Sequence, residues 1–215
     1  KPLYDPVADF EPVQLTIRST YVMVVHPSLG VSTLGELIAK ARADAGQLNY
    51  ASPGAGSPQQ LAMERVKRAA GFALQPIPYN GSGPMLADLL AGRVPITIDS
   101  VANLVPHIQR GALKAIAVTS RKRSPRLPET PTMIESGLPD FEATSWIGLF
   151  APARTPPAIV DRMSREVAAI ARQGKGHDRM IELGMDPQDG GPEVMREALK
   201  RDLEIYGPII KELGI

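Results

Sequence analysis

Residues 48–60, LNYASPGAGSPQQ, contain a short strand, a loop with two glycines and the start of a helix. Ser57 lies three residues before Gln60, which is the spacing of a capping box, and Pro58 occupies the first helical position. The same order of strand, short loop and helix recurs along the chain. It predicts strands at 20–25, 48–51, 74–77, 94–98 and 113–118, and helices at 33–43, 58–70, 84–91 and 101–109. Strands separated by single helices are typical of an α/β fold with a mostly parallel sheet.

The pattern changes after residue 120. A loop rich in proline and arginine at 121–139 precedes an extended segment at 141–152. The sequence then predicts helices at 156–172, 178–183 and 192–213. Six basic residues and no acidic residue lie between Arg110 and Arg126, without interleaved aromatic residues. We therefore interpret this stretch as a solvated surface and expect no nucleic-acid partner.

The composition excludes several classes of protein. The chain has 215 residues, of which 43% are hydrophobic and 22% are charged, and this is typical of a folded globular protein. It contains no cysteine, which excludes disulfides, zinc–thiolate sites and cysteine nucleophiles. The 21 prolines are about twice the usual share. Several of them stand at predicted helix starts, as Pro58 does, so they are compatible with regular structure.

The loop at 50–57 is the first candidate for ligand binding. A helix start presents unpaired backbone N–H groups and the positive end of the helix dipole, which together favour an anionic oxygen. Gly54 and Gly56 allow the backbone to approach a ligand closely, and Ser52 and Ser57 add hydroxyl groups. The same residues are also compatible with a tight loop that ends in a helix-capping serine. Neither the phosphate-binding Walker pattern nor the dinucleotide fingerprint is present.

Two further loops follow neighbouring predicted strands. The first contains Tyr79, Gly81 and Ser82, and the second begins at Asp99. Because the carboxyl ends of parallel strands meet at one edge of a sheet, we expect all three loops to face one ligand. Each loop alone is equally compatible with a simple turn, and Asp99 alternatively caps the helix that follows it.

The sequence predicts no catalytic residue, no cofactor and no metal site. Its three histidines, His26, His107 and His177, share no metal-ligand spacing. Neither a nucleophile elbow nor a zinc-protease motif occurs. A binding protein is therefore the leading interpretation. An α/β enzyme that binds a phosphorylated or carboxylated substrate at the same loops is the alternative, and a self-associating module is a third.

A series of short motifs resembles a known family. They occur in this order: YDPxxDFxPV (4–13), LNYASxGxGS (48–57), PYxGSxP (78–84), DLLxG (88–92), LxAxAVT (113–119), LPxxPT (127–132), GLPxF (137–141) and WxGLxAPxxTP (146–156). Each motif is weak alone, but the ordered series covers essentially the whole chain. It resembles the extracytoplasmic solute receptors of tripartite tricarboxylate transporters, the Bug or TctC-like family.

The resemblance implies a periplasmic-binding-protein fold of the Venus-flytrap, type II-like kind, with two lobes. By this analogy residues 1–18 are the end of lobe 1 and the first crossing segment, 19–144 are a complete lobe 2, and 145–215 are the second crossing segment and the C-terminal part of lobe 1. It also implies a periplasmic location, a small organic carboxylate as ligand, and membrane permease subunits as partners. The ligand-binding residues that it nominates are Ser52, Gly54, Gly56, Ser57, Tyr79, Gly81, Ser82 and Asp99.

The chain departs from the family pattern in three respects. Gln60 stands where relatives often have histidine, and Asn80 stands where they often have lysine, so two possible positive charges are absent. Roughly the N-terminal third of a mature receptor is also expected to be missing. Lobe 1 should then expose apolar surface at Val160, Met163, Val167 and the last helix, and we expect the chain to form a homodimer or a partly domain-swapped assembly.

Overall fold

The structure is a computed structural model that describes residues 3–44, 46–182 and 185–214. Its helices and strands are β1 (Phe10–Val25), α1 (Leu34–Ala43), β2 (Asn49–Ser52), α2 (Pro58–Ala70), β3 (Gln75–Pro78), α3 (Ser82–Leu90), β4 (Ile96–Ser100), α4 (Val101–Gln109), β5 (Lys114–Val118), β6 (Thr144–Pro152), α5 (Pro157–Arg172), α6 (Lys175–Glu182), β7 (Asp186–Gly190) and α7 (Pro192–Leu213). The chain divides into two compact units. The described residues of Thr20–Thr144 and Ile209–Ile215 form the α/β unit, and those of Lys1–Ser19 and Ser145–Pro208 form the second unit.

The α/β unit has a mixed sheet in the order β3-β2-β4-β1-β5. Strand β2 pairs in parallel with β3 and with β4, as the sequence predicts. The prediction of a mostly parallel sheet is wrong for β1, because this strand runs antiparallel to both β4 and β5. The crossover from β4 through α4 to β5 passes over one strand position, and β1 occupies that position. Because β2 runs parallel to both β3 and β4, the carboxyl ends of these three strands lie at one edge of the sheet, here called the carboxyl edge.

Both faces of the sheet are covered, which explains the uninterrupted apolar run at the end of β1. Tyr21, Met23 and Val25 point into a cluster with side chains of α1 and α2, such as Met63. Val22 and Val24 belong to a second cluster with side chains of α3 and α4. A strand buried on both sides has no polar alternation, and these five residues are at most 4% exposed.

The second unit is built around the first half of β1, which pairs with β6 and with β7. Helix α5 buries Val160 at 5% exposure, where it packs against Val13 and Ala151. The expectation that Val160 is exposed is therefore wrong. Val167, which is also expected to be exposed, is half-buried, and the large apolar side chains that α5 does expose are Ile159, Met163 and Ile170.

The last turn of α7 groups with the α/β unit. The described residues of Ile209–Ile215 belong to the α/β unit. Within this segment Ile209 is buried, and Glu212 forms an ion pair of 2.8 Å with Arg68 of α2. Leu213 lies beside the same part of the α/β unit.

Glu135 provides a pH-dependent contribution to stability. Its carboxylate accepts hydrogen bonds from Arg123 at 3.0 Å and from the Thr132 amide at 2.7 Å, and these lower its pKa to about 2. Because the pKa of the folded state lies below that of the unfolded chain, the contribution is complete above a pH of about 5 and is lost as the pH falls towards 2. We expect Glu135→Gln to be less stable than wild type in urea unfolding at neutral pH, and equally stable near pH 2. An unchanged difference across this range would contradict the assignment.

Candidate ligand-binding site

The loops after β2 and β3 contact each other at the carboxyl edge. The amide of Tyr79 donates to the carbonyl of Ser52 at 2.8 Å, and the amide of Gly81 donates to the carbonyl of Pro53 at 2.9 Å. Gly81 has a φ of 101°, a backbone conformation that side-chain-bearing residues rarely adopt. The glycine is therefore needed for the chain to turn from the contact with the first loop into α3.

The third loop joins them through Asp99. Its Oδ1 accepts a hydrogen bond from Gln59 Nε2 of α2 at 3.0 Å and one from the Ser100 amide at 2.7 Å. Its Oδ2 accepts from Asn103 Nδ2 at 3.3 Å, and the residue is 1% exposed. Asp99 is not the cap of α4, because the Ser100 hydroxyl accepts the Asn103 amide. The structure thus brings together the three loops that the sequence singles out.

The first loop uses most of its own polar groups. The Ser52 hydroxyl donates to the Gly54 carbonyl at 3.0 Å, and the Ser57 hydroxyl caps α2 by accepting the Gln60 amide at 3.3 Å. The Gln60 side chain accepts the amide of Gly56 at 2.6 Å. In a complete capping box the Gln60 side chain would accept the amide of the N-cap residue, Ser57. Here it accepts the amide of the preceding residue, Gly56, instead. Ser52 is buried, whereas Gly54, Gly56 and Ser57 are more accessible.

The start of α3 is different because no side chain caps it. Its N-cap is Gly81, which has no side chain to offer. Ser82 and Gly83 are the first two helical residues, and neither of their N–H groups has a carbonyl partner one turn earlier in the helix. This helix start lies beside the glycine loop through the contact between Gly81 and Pro53. The arrangement suits an anionic oxygen, which uncapped N–H groups and the helix dipole both favour.

Tyr79 directs its polar end away from this helix start and into α3. Its hydroxyl donates to Asp88 at 2.9 Å, and Asp88 pairs with Arg93 at 2.6 Å. Partial burial and the bond to Asp88 raise the pKa of Tyr79, while Arg93 and Tyr79 lower the pKa of Asp88. The Tyr79 ring packs against Ala51 and Met85. Its side chain therefore supports the loop, and its backbone amide fixes the neighbouring strand end.

No lysine or arginine lies in the three loops at 50–60, 78–84 and 99–103, where Asp99 is the only charged side chain. Positive potential at the carboxyl edge therefore comes from three helix starts, those of α2, α3 and α4. An open depression of about 560 Å³ lies at the opposite edge of the sheet. Its arginines and lysine are already engaged: Arg42 bonds the carbonyl of Ala70, Lys67 pairs with Glu64, and Arg68 pairs with Glu212. The carboxyl edge is thus the better candidate site.

Comparison with known proteins decides the family. The family described as the tripartite tricarboxylate transporter family receptor, TctC, matches residues 1–215. The chain belongs to this family. Protein BugT of Bordetella pertussis is 31% identical over 211 residues, which are 98% of this chain and 65% of that protein. A UPF0065 protein from the tcbD-tcbE intergenic region of Pseudomonas sp. strain P51 is 36% identical over 97% of this chain and 62% of its own length. The chain therefore spans slightly less than two thirds of these relatives.

Solved structures agree with this assignment. The chain superposes on R. palustris Rpa4515 with adipate at a TM-score of 0.85 and 35% identity, covering 99% of this chain and 71% of that one. For the periplasmic binding protein BugD the TM-score is 0.83 at 31% identity, with 99% and 72% covered. For MatC from Rhodopseudomonas palustris with bound malate it is 0.83 at 28% identity, with 98% and 72% covered. The predicted periplasmic-binding-protein fold of this TctC-family chain is confirmed. No helix among the described residues has the length and hydropathy of a membrane span.

The carboxyl edge also holds two residues that the sequence does not predict there, Gln59 and Asn103. Both bind Asp99, and Gln59 is 40 positions away from it in the chain. A glutamine in the first turn of a helix carries no signal of such a contact. Only the adjacent placement of β2 and β4 reveals it.

Proposed function

We propose that this TctC-family chain binds a small organic carboxylate at the carboxyl edge and acts as a periplasmic solute receptor. The observation that carries the proposal is the uncapped start of α3, held beside the glycine loop by the bond from Gly81 to Pro53. Adipate and malate, which appear in the structures of two relatives, are small dicarboxylates of the kind we propose for this chain.

In this proposal the N–H groups of Ser82 and Gly83 donate to the carboxylate oxygens, and the Ser82 hydroxyl adds a third donor. Hydrogen bonds to a charged acceptor contribute about 1.5–3 kcal/mol each. The positive end of α3 supplies the charge complementarity that lysine or arginine supplies elsewhere. The loaded receptor is then recognised by permease subunits of the transporter.

Binding without turnover follows from the same residues. The ionisable side chains of the three loops are each already engaged: Asp99 is buried and accepts three hydrogen bonds, Tyr79 donates to Asp88, and the buried Tyr50 donates to Glu64. An enzyme that uses these loops requires an accessible acid or base near the bound substrate. We therefore favour a receptor over the alternative of an α/β enzyme acting on a phosphorylated or carboxylated substrate.

The experiment that tests the proposal is a thermal-shift screen of the chain against small carboxylic acids and their phosphorylated analogues. A ligand that binds only the folded state raises the midpoint of unfolding. We expect stabilisation by at least one dicarboxylate, with the acid recovered unchanged after incubation. Chemical conversion of the acid, or stabilisation by phosphorylated compounds alone, would instead favour the enzyme.

We also propose that a second copy of the chain covers the exposed apolar stripe of α5. Ile159 is 50% exposed, Met163 is 36% exposed and Ile170 is 53% exposed. The stripe is flanked by Arg162 and Glu166, both of which are exposed. An antiparallel pair of α5 helices brings Ile159 of one copy near Ile170 of the other, and likewise Arg162 near Glu166, so the face is complementary to itself.

Charge reversal tests this homodimer. Glu166→Arg places like charges together and is expected to weaken dimerisation at least about tenfold in sedimentation equilibrium, since one such repulsion costs about 1.4 kcal/mol or more. The double variant Arg162→Glu/Glu166→Arg restores the opposite charges and should restore the dimer. A monomer at every concentration, or a double variant no better than the single one, would exclude this interface.

A further inference from the structure

We infer that the acid bound at the carboxyl edge lacks an ammonium group, so that a dicarboxylate binds in preference to an acidic amino acid. The inference rests on the proposed function and adds a selectivity to it. Its basis is that the Asp99 carboxylate and three loop carbonyls are already hydrogen-bonded, whereas N–H groups at the start of α3 are not.

Asp99 is the natural partner for an ammonium group, because it is the only acidic side chain in the three loops. Its Oδ1 already accepts from Gln59 and from the Ser100 amide, and its Oδ2 accepts from Asn103. With 1% of its surface exposed, Asp99 offers no accessible oxygen. An ammonium group placed here would lose its hydration without gaining a carboxylate partner, which is costly.

Three consecutive carbonyl groups of the first loop, those of Ser52, Pro53 and Gly54, are also hydrogen-bonded. The carbonyl of Ser52 accepts the Tyr79 amide, and that of Pro53 accepts the Gly81 amide. The carbonyl of Gly54 accepts both the Ser57 amide, at 3.2 Å, and the Ser52 hydroxyl. These three carbonyls are therefore engaged within and between the loops, whereas the N–H groups of Ser82 and Gly83 at the uncapped start of α3 remain as donors.

The helix dipoles act in the same direction. Helices α2, α3 and α4 all begin at the carboxyl edge, so their positive ends favour negative charge and disfavour positive charge there. A donor-rich edge with positive potential is matched by carboxylate oxygens. It is not matched by an ammonium group, which has three donors and no acceptor.

The test compares acids that differ only by the ammonium group: succinate with aspartate, and adipate with 2-aminoadipate, each titrated into the chain by calorimetry. We expect the dicarboxylate of each pair to bind at least about tenfold more tightly, a difference of about 1.4 kcal/mol. Equal or tighter binding of the amino acids would overturn the inference and leave the proposed function standing. Binding of none of the four acids would count against the proposed function itself.

The variant Gln59→Ala tests the role assigned to Asp99. Removing the amide donor frees Oδ1 of Asp99, so the preference for succinate over aspartate should fall several-fold. Gln109→Ala is the matched control, because Gln109 is an exposed glutamine at the far end of α4. We expect this variant to prefer succinate over aspartate to the same degree as wild type. If Gln59→Ala preferred succinate over aspartate as strongly as wild type does, the occupied carboxylate of Asp99 would not be what disfavours an ammonium group.

Discussion

Gly83→Asp is expected to weaken carboxylate binding at least about thirtyfold while leaving the fold intact. Gly83 is the second residue of α3, its φ is not in the left-handed region, and an added Cβ meets no atom within 4 Å. A carboxylate there interacts favourably with the helix dipole, by about 0.3–1 kcal/mol, so the helix is not destabilised by charge. The same charge repels a bound carboxylate by about 2–4 kcal/mol at distances near 4 Å.

Gly83→Asn is the control for this prediction, because asparagine has nearly the same size as aspartate without the charge. We expect its affinity, measured by calorimetry, to lie much nearer to wild type than that of the aspartate variant. Equal losses in the two variants would show that bulk rather than charge is responsible. Unchanged binding in Gly83→Asp would place the carboxylate somewhere other than the start of α3.

Asp99→Ala is expected to lower the free energy of unfolding by about 2–4 kcal/mol. The substitution removes a buried carboxylate and leaves three donors, those of Gln59, Ser100 and Asn103, without their acceptor. It also separates the loop after β2 from the loop after β4, so carboxylate binding should weaken together with stability. Urea unfolding and calorimetry measure the two effects.

Asp99→Asn separates the contributions within this network. Asparagine retains one acceptor oxygen but turns an NH₂ group towards one of the three donors, so an intermediate loss of stability is expected. If Asp99→Ala were as stable as wild type, Asp99 would not be the residue that joins the loops. A loss confined to binding, without a loss of stability, would instead point to direct contact with the ligand.

The sequence predicted the α/β fold because its boundary signals are local. Thr33 and Ser57 cap α1 and α2 as expected, and α4 spans the predicted 101–109. Strand β7, with the sequence DPQDG, was not predicted because proline, aspartate and glycine disfavour strands. It forms by pairing with the distant residues of β1, which no local pattern indicates.

The candidate site was predictable only in part for the same reason. A glycine loop followed by a capped helix identifies 50–57, and the parallel order of β2, β3 and β4 explains why its neighbours lie at the same edge. The use of each polar group depends on contacts between loops. The sequence alone therefore does not show that α3 is uncapped beside the glycine loop, or that both carboxylate oxygens of Asp99 are already hydrogen-bonded.

Amide chemical shifts locate a bound carboxylate directly, and so they show whether it binds at the start of α3. The ¹⁵N-labelled chain is titrated with succinate and with adipate. We expect saturable shifts of the Ser82 and Gly83 amides, together with those of the adjoining glycine loop, and no comparable shifts in Gly83→Asp. Saturable shifts confined to other parts of the chain, or no shift at these amides at millimolar ligand, would contradict it.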